Sequence, residues 1–421
     1  MPRRRRTLEN NLPLNKLVPL LLVLAVLWLY QNGYFDRWFG QGTEALAPVV
    51  GAPELQDGTQ PEPAGSPESV VPQPSVAARP APPPKENVET ATMRGYSGDW
   101  YQVYFTKPQY PERAENRVGG MDETLAADID AAQRRVEVAA FDFDLQKITD
   151  ALIRAQQRGV RVRISIDGEN LETPVVAKLT GDLESAGIPV FFDEREAFMH
   201  NKFIVIDDTV VWTGSMNLTI NDVFRNNNTM LRIADPQLAA NYTAKADDIF
   251  KGAGGTTGSS VLVHPRLTIG GSTVANAFSP DEPITEMILE HVQAAQQSIE
   301  VMAFAFTSDP VADSLIAAKD RGLAVRVVME SRNAKGTGAD LKKLQSAGVD
   351  IHSDGNCYIM HHKTIIIDDH LVITGSFNFT RAAQEQNDEN VLIIDDVSLA
   401  ARYAEEFERI YQQALEPTRC Q

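Results

Sequence analysis

Most of this chain is written twice. Val136-Glu-Val-Ala-Ala-Phe-Asp-Phe143 returns as Ile299-Glu-Val-Met-Ala-Phe-Ala-Phe306, and Arg158-Gly-Val-Arg-Val-Arg-Ile164 returns as Arg321-Gly-Leu-Ala-Val-Arg-Val327. Ala186-Gly-Ile188 matches Ala347-Gly-Val349, and Leu238-Ala-Ala-Asn-Tyr242 matches Leu399-Ala-Ala-Arg-Tyr403. The offset is 163 residues for the first two pairs and 161 for the last two, so one small deletion separates two copies of about 150 residues. That period is a domain length; solenoid repeats run 20–50 residues. The chain must fold as two like domains, and residues that serve both should recur at the same offset.

Each copy alternates helical and strand patterns. In the second, Ile284, Met287, Ile288, Val292 and Ala295 share one helical face. Ile299–Phe306 is apolar almost throughout, as a strand covered on both faces would be. Asp309-Pro310 reads as a cap with proline at the first helical position, Gly322 ends that helix, and Leu323–Glu330 is the next strand. Ala339–Ala347 is a further helix closed by Gly348. The expected fold is α/β: a duplicated domain, each copy a mixed β-sheet flanked by helices. The copies are placed at residues 98–250 and 261–421, with a Gly/Ser/Thr linker at 251–260.

What precedes the repeats is different in kind. Residues 1–16 hold Arg3, Arg4, Arg5, Arg6 and Lys16 against Glu9, a basic segment of +4 in a chain of net charge −18, so the rest carries −22. A body that acidic lacks the broad footprint of a nucleic-acid binder, though a local basic pocket stays open. Leu17–Tyr30 is apolar, and extension to Phe35 gives 19 residues, roughly 28 Å of helix, nearly enough to cross a bilayer. We read residues 17–35 as an uncleaved signal anchor, with a cleaved signal peptide and secretion as the alternative. The four arginines then face the cytoplasm, giving a single-pass cell-membrane protein with extracytoplasmic domains. Residues 40–95 hold 11 of the 24 prolines and no apolar period, so an extended, disordered linker is expected. The two cysteines, Cys357 and Cys420, rule out a disulfide scaffold and are read as unlinked thiols; no metal site rests on their spacing.

The copies agree best in one stretch. The first reads His200-Asn-Lys202-Phe-Ile-Val-Ile-Asp207-Asp-Thr-Val-Val-Trp-Thr-Gly214-Ser215-Met-Asn217. The second reads His361-His-Lys363-Thr-Ile-Ile-Ile-Asp368-Asp-His-Leu-Val-Ile-Thr-Gly375-Ser376-Phe-Asn378. Two apolar runs around a polar turn predict a hairpin. Residues two apart on a strand share a face, so each histidine projects with its lysine, and the Gly-Ser-x-Asn segment follows the returning strand. An imidazole, an ammonium, a hydroxyl and a carboxamide together suit a phosphate ester. Lys202 and Lys363 would offset charge, and Ser215, Asn217, Ser376 and Asn378 would bind the phosphate. The histidines would act as nucleophile or general acid. Asp207 and Asp368 recur as candidate catalytic carboxylates, with a structural role at strand ends as the competing reading. His362 faces away from His361, has Asn201 as its counterpart, and is taken as incidental.

The paired H-x-K-x4-D pattern resembles the phospholipase D superfamily, over roughly residues 98–421. The second copy is also similar to its bacterial endonuclease and cardiolipin-hydrolase branch, through Ala303-Phe-Ala-Phe-Thr-Ser308, Ile373-Thr-Gly-Ser-Phe-Asn-Phe-Thr380 and Asn387-Asp-Glu-Asn390. The resemblance implies two copies facing across a pseudo-two-fold active site, and a phosphodiesterase with a covalent phosphohistidine that needs neither cofactor, metal nor a further oligomer. The acid of that branch, 28 residues after the histidine, is Glu389 in copy two but Asn228 in copy one, both candidates to orient a histidine. If Glu389 reaches His361, it holds that ring protonated as the acid and leaves His200 to attack; family geometry offers the opposite pairing as well. In two-motif members the first histidine is usually the nucleophile. Phospholipid, cleaved to phosphatidate, is the expected substrate and the membrane the expected partner through the anchor. Nucleic acid is the alternative substrate. Phosphatidyl transfer, or lipid binding without catalysis, are the remaining readings.

Overall fold

A computed structural model of the chain describes residues 87–255 and 262–420. The first copy runs β1 (Val88–Glu89), β2 (Met93–Ser97), β3 (Tyr101–Thr106), α1 (Met121–Ala131), β4 (Arg135–Ala140), α2 (Gln146–Gln157), β5 (Arg161–Asp167), α3 (Pro174–Ser185) and β6 (Val190–Asp193). It continues with β7 (Lys202–Ile206), β8 (Val210–Gly214), α4 (Ile220–Phe224), β9 (Thr229–Ala234) and α5 (Pro236–Phe250). The second runs β10 (Arg266–Ile269), β11 (Ser272–Ser279), α6 (Ile284–Ala294), β12 (Ser298–Ala303), α7 (Asp309–Asp320), β13 (Ala324–Met329), α8 (Leu341–Ser346) and β14 (Asp350–Ser353). It ends with β15 (Lys363–Ile367), β16 (Leu371–Gly375), α9 (Arg381–Glu385), β17 (Glu389–Asp395) and α10 (Val397–Leu415).

The sheet orders are β1-β2-β3-β9-β8-β7-β4-β5-β6 and β10-β11-β17-β16-β15-β12-β13-β14. Without β1 they correspond strand for strand. In each, the last three strands are parallel and the rest antiparallel, which makes both sheets mixed as expected. The deletion between the copies falls at one helix, 12 residues long in α3 and 6 in α8.

Apolar residues from the outer faces of the sheets form a separate core in each copy, around Ile148 and Leu152 of α2 in one and Leu315 of α7 in the other. A third core is shared. It joins Leu238, Tyr242 and Ile249 of α5 to Leu399, Tyr403 and Phe407 of α10. The equivalent tyrosines cross over: Tyr242 packs on Phe278 of copy two with ring centroids 5.2 Å apart, and Tyr403 packs on Phe105 of copy one at 5.2 Å. Burial of this kind is worth about 25 cal/mol per Å² of apolar surface, so the shared core binds the copies into one body.

Four expectations are corrected. Strands precede residue 98: Val88–Glu89, within the expected linker, and Met93–Ser97, which begins within it, and Met93 is buried. Residues 40–86 of that linker, the basic segment 1–16 and residues 256–261 between the copies lie outside the described residues. Cys357 and Cys420 are not free; they form a disulfide with Cα atoms 5.5 Å apart, which ties the chain end to the loop leading into His361. The placement as a single-pass membrane protein with extracytoplasmic domains is not upheld. Among the described residues no helix is long and apolar enough to cross a membrane, and the segment 17–35 that carried the anchor lies outside them.

The fourth concerns Asp207 and Asp368. Each opens a three-residue hairpin loop with φ of 54° and 52°, followed by Asp208 and Asp369 at 60° and 58°. Left-handed backbone at both residues makes the tight turn that the Thr209 and His370 N–H groups close on the Ile206 and Ile367 carbonyls, and Asp tolerates it better than most residues. The Asp207 carboxylate accepts from the backbone N–H groups of Gln133, Arg134 and Arg135, and that of Asp368 from Gln296, Gln297 and Ser298. Both stand at the far end of their strands, roughly 16 Å along β7 or β15 from the lysine. They lock the hairpin to the turn before β4 or β12. Asp368→Ala should lower the unfolding free energy by about 2–3 kcal/mol in urea denaturation, with turnover within twofold of the parent.

Candidate active site

The hairpin strands β7 and β15 begin at the lysines of the two motifs, and the histidines stand just before them. Glycine closes β8 and β16 because the neighbouring strand comes too near: a Cβ on Gly214 would lie 2.2 Å from the Thr229 carbonyl oxygen, and one on Gly375 2.2 Å from that of Asn390. This close approach brings Ser215 and Ser376 against the start of β9 and β17, where Asn228 and Glu389 stand.

The two copies then exchange backbone. The Asp388 N–H donates to Phe198 O at 2.8 Å and the His200 N–H to Asp388 O at 2.9 Å. In the matching place the Asn227 N–H donates to Ile359 O at 2.8 Å and the His361 N–H to Asn227 O at 2.9 Å. Each histidine is thereby pinned beside the orienting residue of the other copy. His200 Nδ1 is 2.7 Å from Glu389 Oε2, and His361 Nδ1 is 3.0 Å from Asn228 Oδ1. The pairing of Glu389 with His361 is overturned in favour of the crossed one.

Several sequence candidates change rank. Ser215 Oγ donates to Asn228 Oδ1 at 2.8 Å, and Ser376 Oγ to Glu389 Oε2 at 2.6 Å. These hydroxyls therefore stand behind the orienting side chains instead of offering themselves to a phosphate. Asn217 and Asn378 keep a buried carboxamide oxygen with no partner. Lys202 and Lys363 donate to the carbonyls of His200 and His361 at 2.7 and 2.9 Å. Each ammonium also lies over a phenylalanine, Lys202 at 5.0 Å from the Phe141 ring and Lys363 at 4.7 Å from Phe304. The same rings meet the histidines edge-on, at 4.9 and 4.6 Å. His362 is not incidental: it is fully buried and bonds Glu406 at 3.1 Å, next to Arg409.

Three residues escaped notice in the sequence, for two different reasons. Phe141 and Phe304 recur at the repeat offset, and that signal was there to be used. Asp222, buried beside His361 with Oδ2 3.5 Å from Nδ1, has Ala383 as its counterpart. A search for agreement between the copies discards such a position.

Burial dominates the proton affinities. It pushes His200 down to about 4 against the pull of Glu389, and Lys202 down to about 8. Burial, then the charges of Lys363 and Lys202, holds His361 well below the ordinary histidine range. Both rings are neutral at pH 7, with Nδ1–H facing an acceptor and the Nε2 lone pair free. A phosphate monoanion between two lysines would raise the affinity of either ring for a proton. One ring could then attack phosphorus while the other, charged, protonates a leaving oxygen.

The chain is similar to several known proteins. A family model described as cardiolipin synthase, PLD-like domain, matches residues 125–250 and 288–411. A protein of Rickettsia conorii named phospholipase D is 40% identical over 132 residues, 31% of this chain and 66% of that relative, just under two thirds of its length. The mitochondrial cardiolipin hydrolase of Mus musculus is 33% identical over 160 residues, 38% of this chain and 72% of the relative. The solved structure of phosphatidylserine synthase from Haemophilus influenzae is similar in fold, with a TM-score of 0.54 at 15% identity over 70% of this chain and 86% of that one.

The buried neutral histidines make stability fall on the acid side. An unfolded histidine takes up its proton near pH 6.5, whereas folded His200 waits until about 4. Between pH 8 and pH 5 this costs on the order of 2 kcal/mol from His200 alone. His200→Gln should remove that share, which urea midpoints for parent and variant at the two pH values will measure.

Proposed function

The chain belongs to the family of the cardiolipin synthase, PLD-like domain, and from that premise we propose that it is a phosphodiesterase of the phospholipase D type. Its substrate is phospholipid, from which it releases the head-group alcohol and leaves phosphatidate, through a phosphohistidine. The observation that carries this reading is the pair of crossed histidines with two buried lysines beside them.

His200 is the nucleophile. Glu389 accepts its Nδ1–H, which fixes the tautomer and leaves the Nε2 pair pointing away from the carboxylate. Attack forms the Nε2–P bond as the P–O bond to the head group breaks, and charged His361 gives its proton to the departing oxygen. His361, now neutral, takes a proton from water as that oxygen attacks phosphorus and the N–P bond breaks. Lys202, Lys363, Asn217 and Asn378 hold the phosphate oxygens. The roles of the histidines are those expected from the sequence, but for the opposite reason. The carboxylate sharpens the attacking ring, and the ring with a neutral partner in contact is the one that parts with its proton more readily.

Lipid is favoured over nucleic acid by the rim. Asp142 and Asp144 flank Phe143 close to Asp222 in copy one, where copy two has Ala305 and Thr307. Phe198, 37% exposed, stacks edge-on with Phe141 at 5.2 Å. The nearby Arg117 and Arg225 are both bonded to Glu112. Carboxylates repel a polyanionic strand, and the exposed ring suits an acyl-bearing substrate.

The full chain should convert phosphatidylglycerol or cardiolipin vesicles to phosphatidate in the presence of EDTA, measured by mass spectrometry. Cleavage of a single-stranded oligonucleotide without lipid turnover would replace the lipid reading with a nuclease. For the roles, His361→Ala should still give a burst of nitrophenol from a nitrophenyl phosphodiester, which needs no proton at departure, and His200→Ala should give none. A burst surviving only in His200→Ala would exchange them.

A further inference from the structure

Glu389 and Asn228 look like a lost acid in the first copy, but the carboxylate has moved rather than gone. Helix α4 carries Asp222 where α9 carries Ala383, and the two helices begin alike: Thr219 Oγ1 accepts from the Asp222 N–H and Thr380 Oγ1 from the Ala383 N–H. The positions therefore match in space as well as in offset. Asp222 is 1% exposed. Its Oδ2 lies 3.5 Å from His361 Nδ1, just behind Asn228 Oδ1 at 3.0 Å. The carboxylate is clamped there, with Oδ2 accepting from the Asn217 N–H at 2.6 Å and Oδ1 from Asn226 Nδ2. Asn228 Nδ2 in turn donates to the Asp222 carbonyl at 3.1 Å, so the two side chains form one unit behind the ring.

Burying a carboxylate is costly unless a positive charge faces it, and the equivalent helix folds with alanine. The groups that face Asp222 are Lys202 and Lys363 from β7 and β15, His361, and the like charges Asp142 and Asp144 from the turn after β4. We propose that Asp222 is a positioning residue that replaces the missing acid of the first copy, its charge behind Nδ1 holding the proton on His361 while the phosphodiester reacts. This rests on the hydrolase reading above. At 3.5 Å, against 2.7 Å for Glu389 and His200, the carboxylate stabilises the imidazolium less than a contact pair would. The ring is thus charged when substrate is bound yet ready to release its proton. Burial raises the proton affinity of Asp222 and lowers that of His361.

The test uses the full chain with Asp222→Asn. With an alkyl phosphodiester, whose leaving group needs a proton, kcat should fall roughly ten- to a hundredfold, within the range of general-acid effects. The alkaline limb of its pH profile should move to lower pH. The nitrophenol burst should change by less than threefold. The double variant Asp222→Ala with Asn228→Glu, which writes the second copy's arrangement into the first, should recover most of the loss. Equal losses on both leaving groups, or no recovery in a folded double variant, would overturn the proposal. A second arm needs no turnover: nitrogen NMR of His361 with inorganic phosphate bound should give a lower pKa in Asp222→Asn than in the parent. An unchanged His361 pKa would likewise overturn it. If the parent cleaves neither ester the hydrolase reading fails, and the NMR arm still decides whether Asp222 holds the His361 proton.

Discussion

Two short backbone exchanges, Met199 with Asp388 and Asn227 with Met360, decide where chemistry can occur in this protein. Each joins the approach to one copy's histidine to the start of the other copy's last strand. A ring from one domain thereby acquires its hydrogen-bond partner from the other, and neither copy alone holds a completed imidazole. Around the exchanges the copies are buttressed differently. Lys245 of α5 meets Asp388 at 2.8 Å beneath one, and Glu406 of α10 meets His362 at 3.1 Å beneath the other. Breaking such a buried pair by removing one partner leaves an uncompensated charge, which makes the duplicated arrangement hard to lose piecemeal.

The site is short of negative charge by construction. Two lysines and two histidines are buried together, with Glu389 and Asp222 as the carboxylates nearest the rings. Burial lowers the proton affinity of all four bases. On the proposed reading a phosphodiester would bring the missing anion, and its arrival would favour the charged lysines and a charged His361. Substrate binding and the protonation needed for catalysis would then be one event, a consequence of placing bases where water does not reach.

Much of this was legible in the sequence. Alternating helical and strand patterns in both copies predicted mixed sheets with helices, and the recurring H-x-K residues predicted that each histidine stands beside a lysine. What the sequence hid has physical causes. Asp207 and Asp368 recur as faithfully as the histidines, because a left-handed turn and three backbone amides demand them as strictly as catalysis would. Asp222 has no counterpart in the second copy, so comparison of the repeats passed over it. The crossed pairing and the disulfide depend on which loops meet in space, and spacing along the chain is silent on both.

Crossing is the claim on which the roles of the histidines and of Asp222 all depend. Its most direct test is nitrogen NMR of the histidine rings in Glu389→Gln. Replacing that carboxylate should shift the Nδ1 resonance and pKa of His200, its partner across the copies, and leave His361 nearly where it was. A shift in His361 with His200 unmoved would contradict the account.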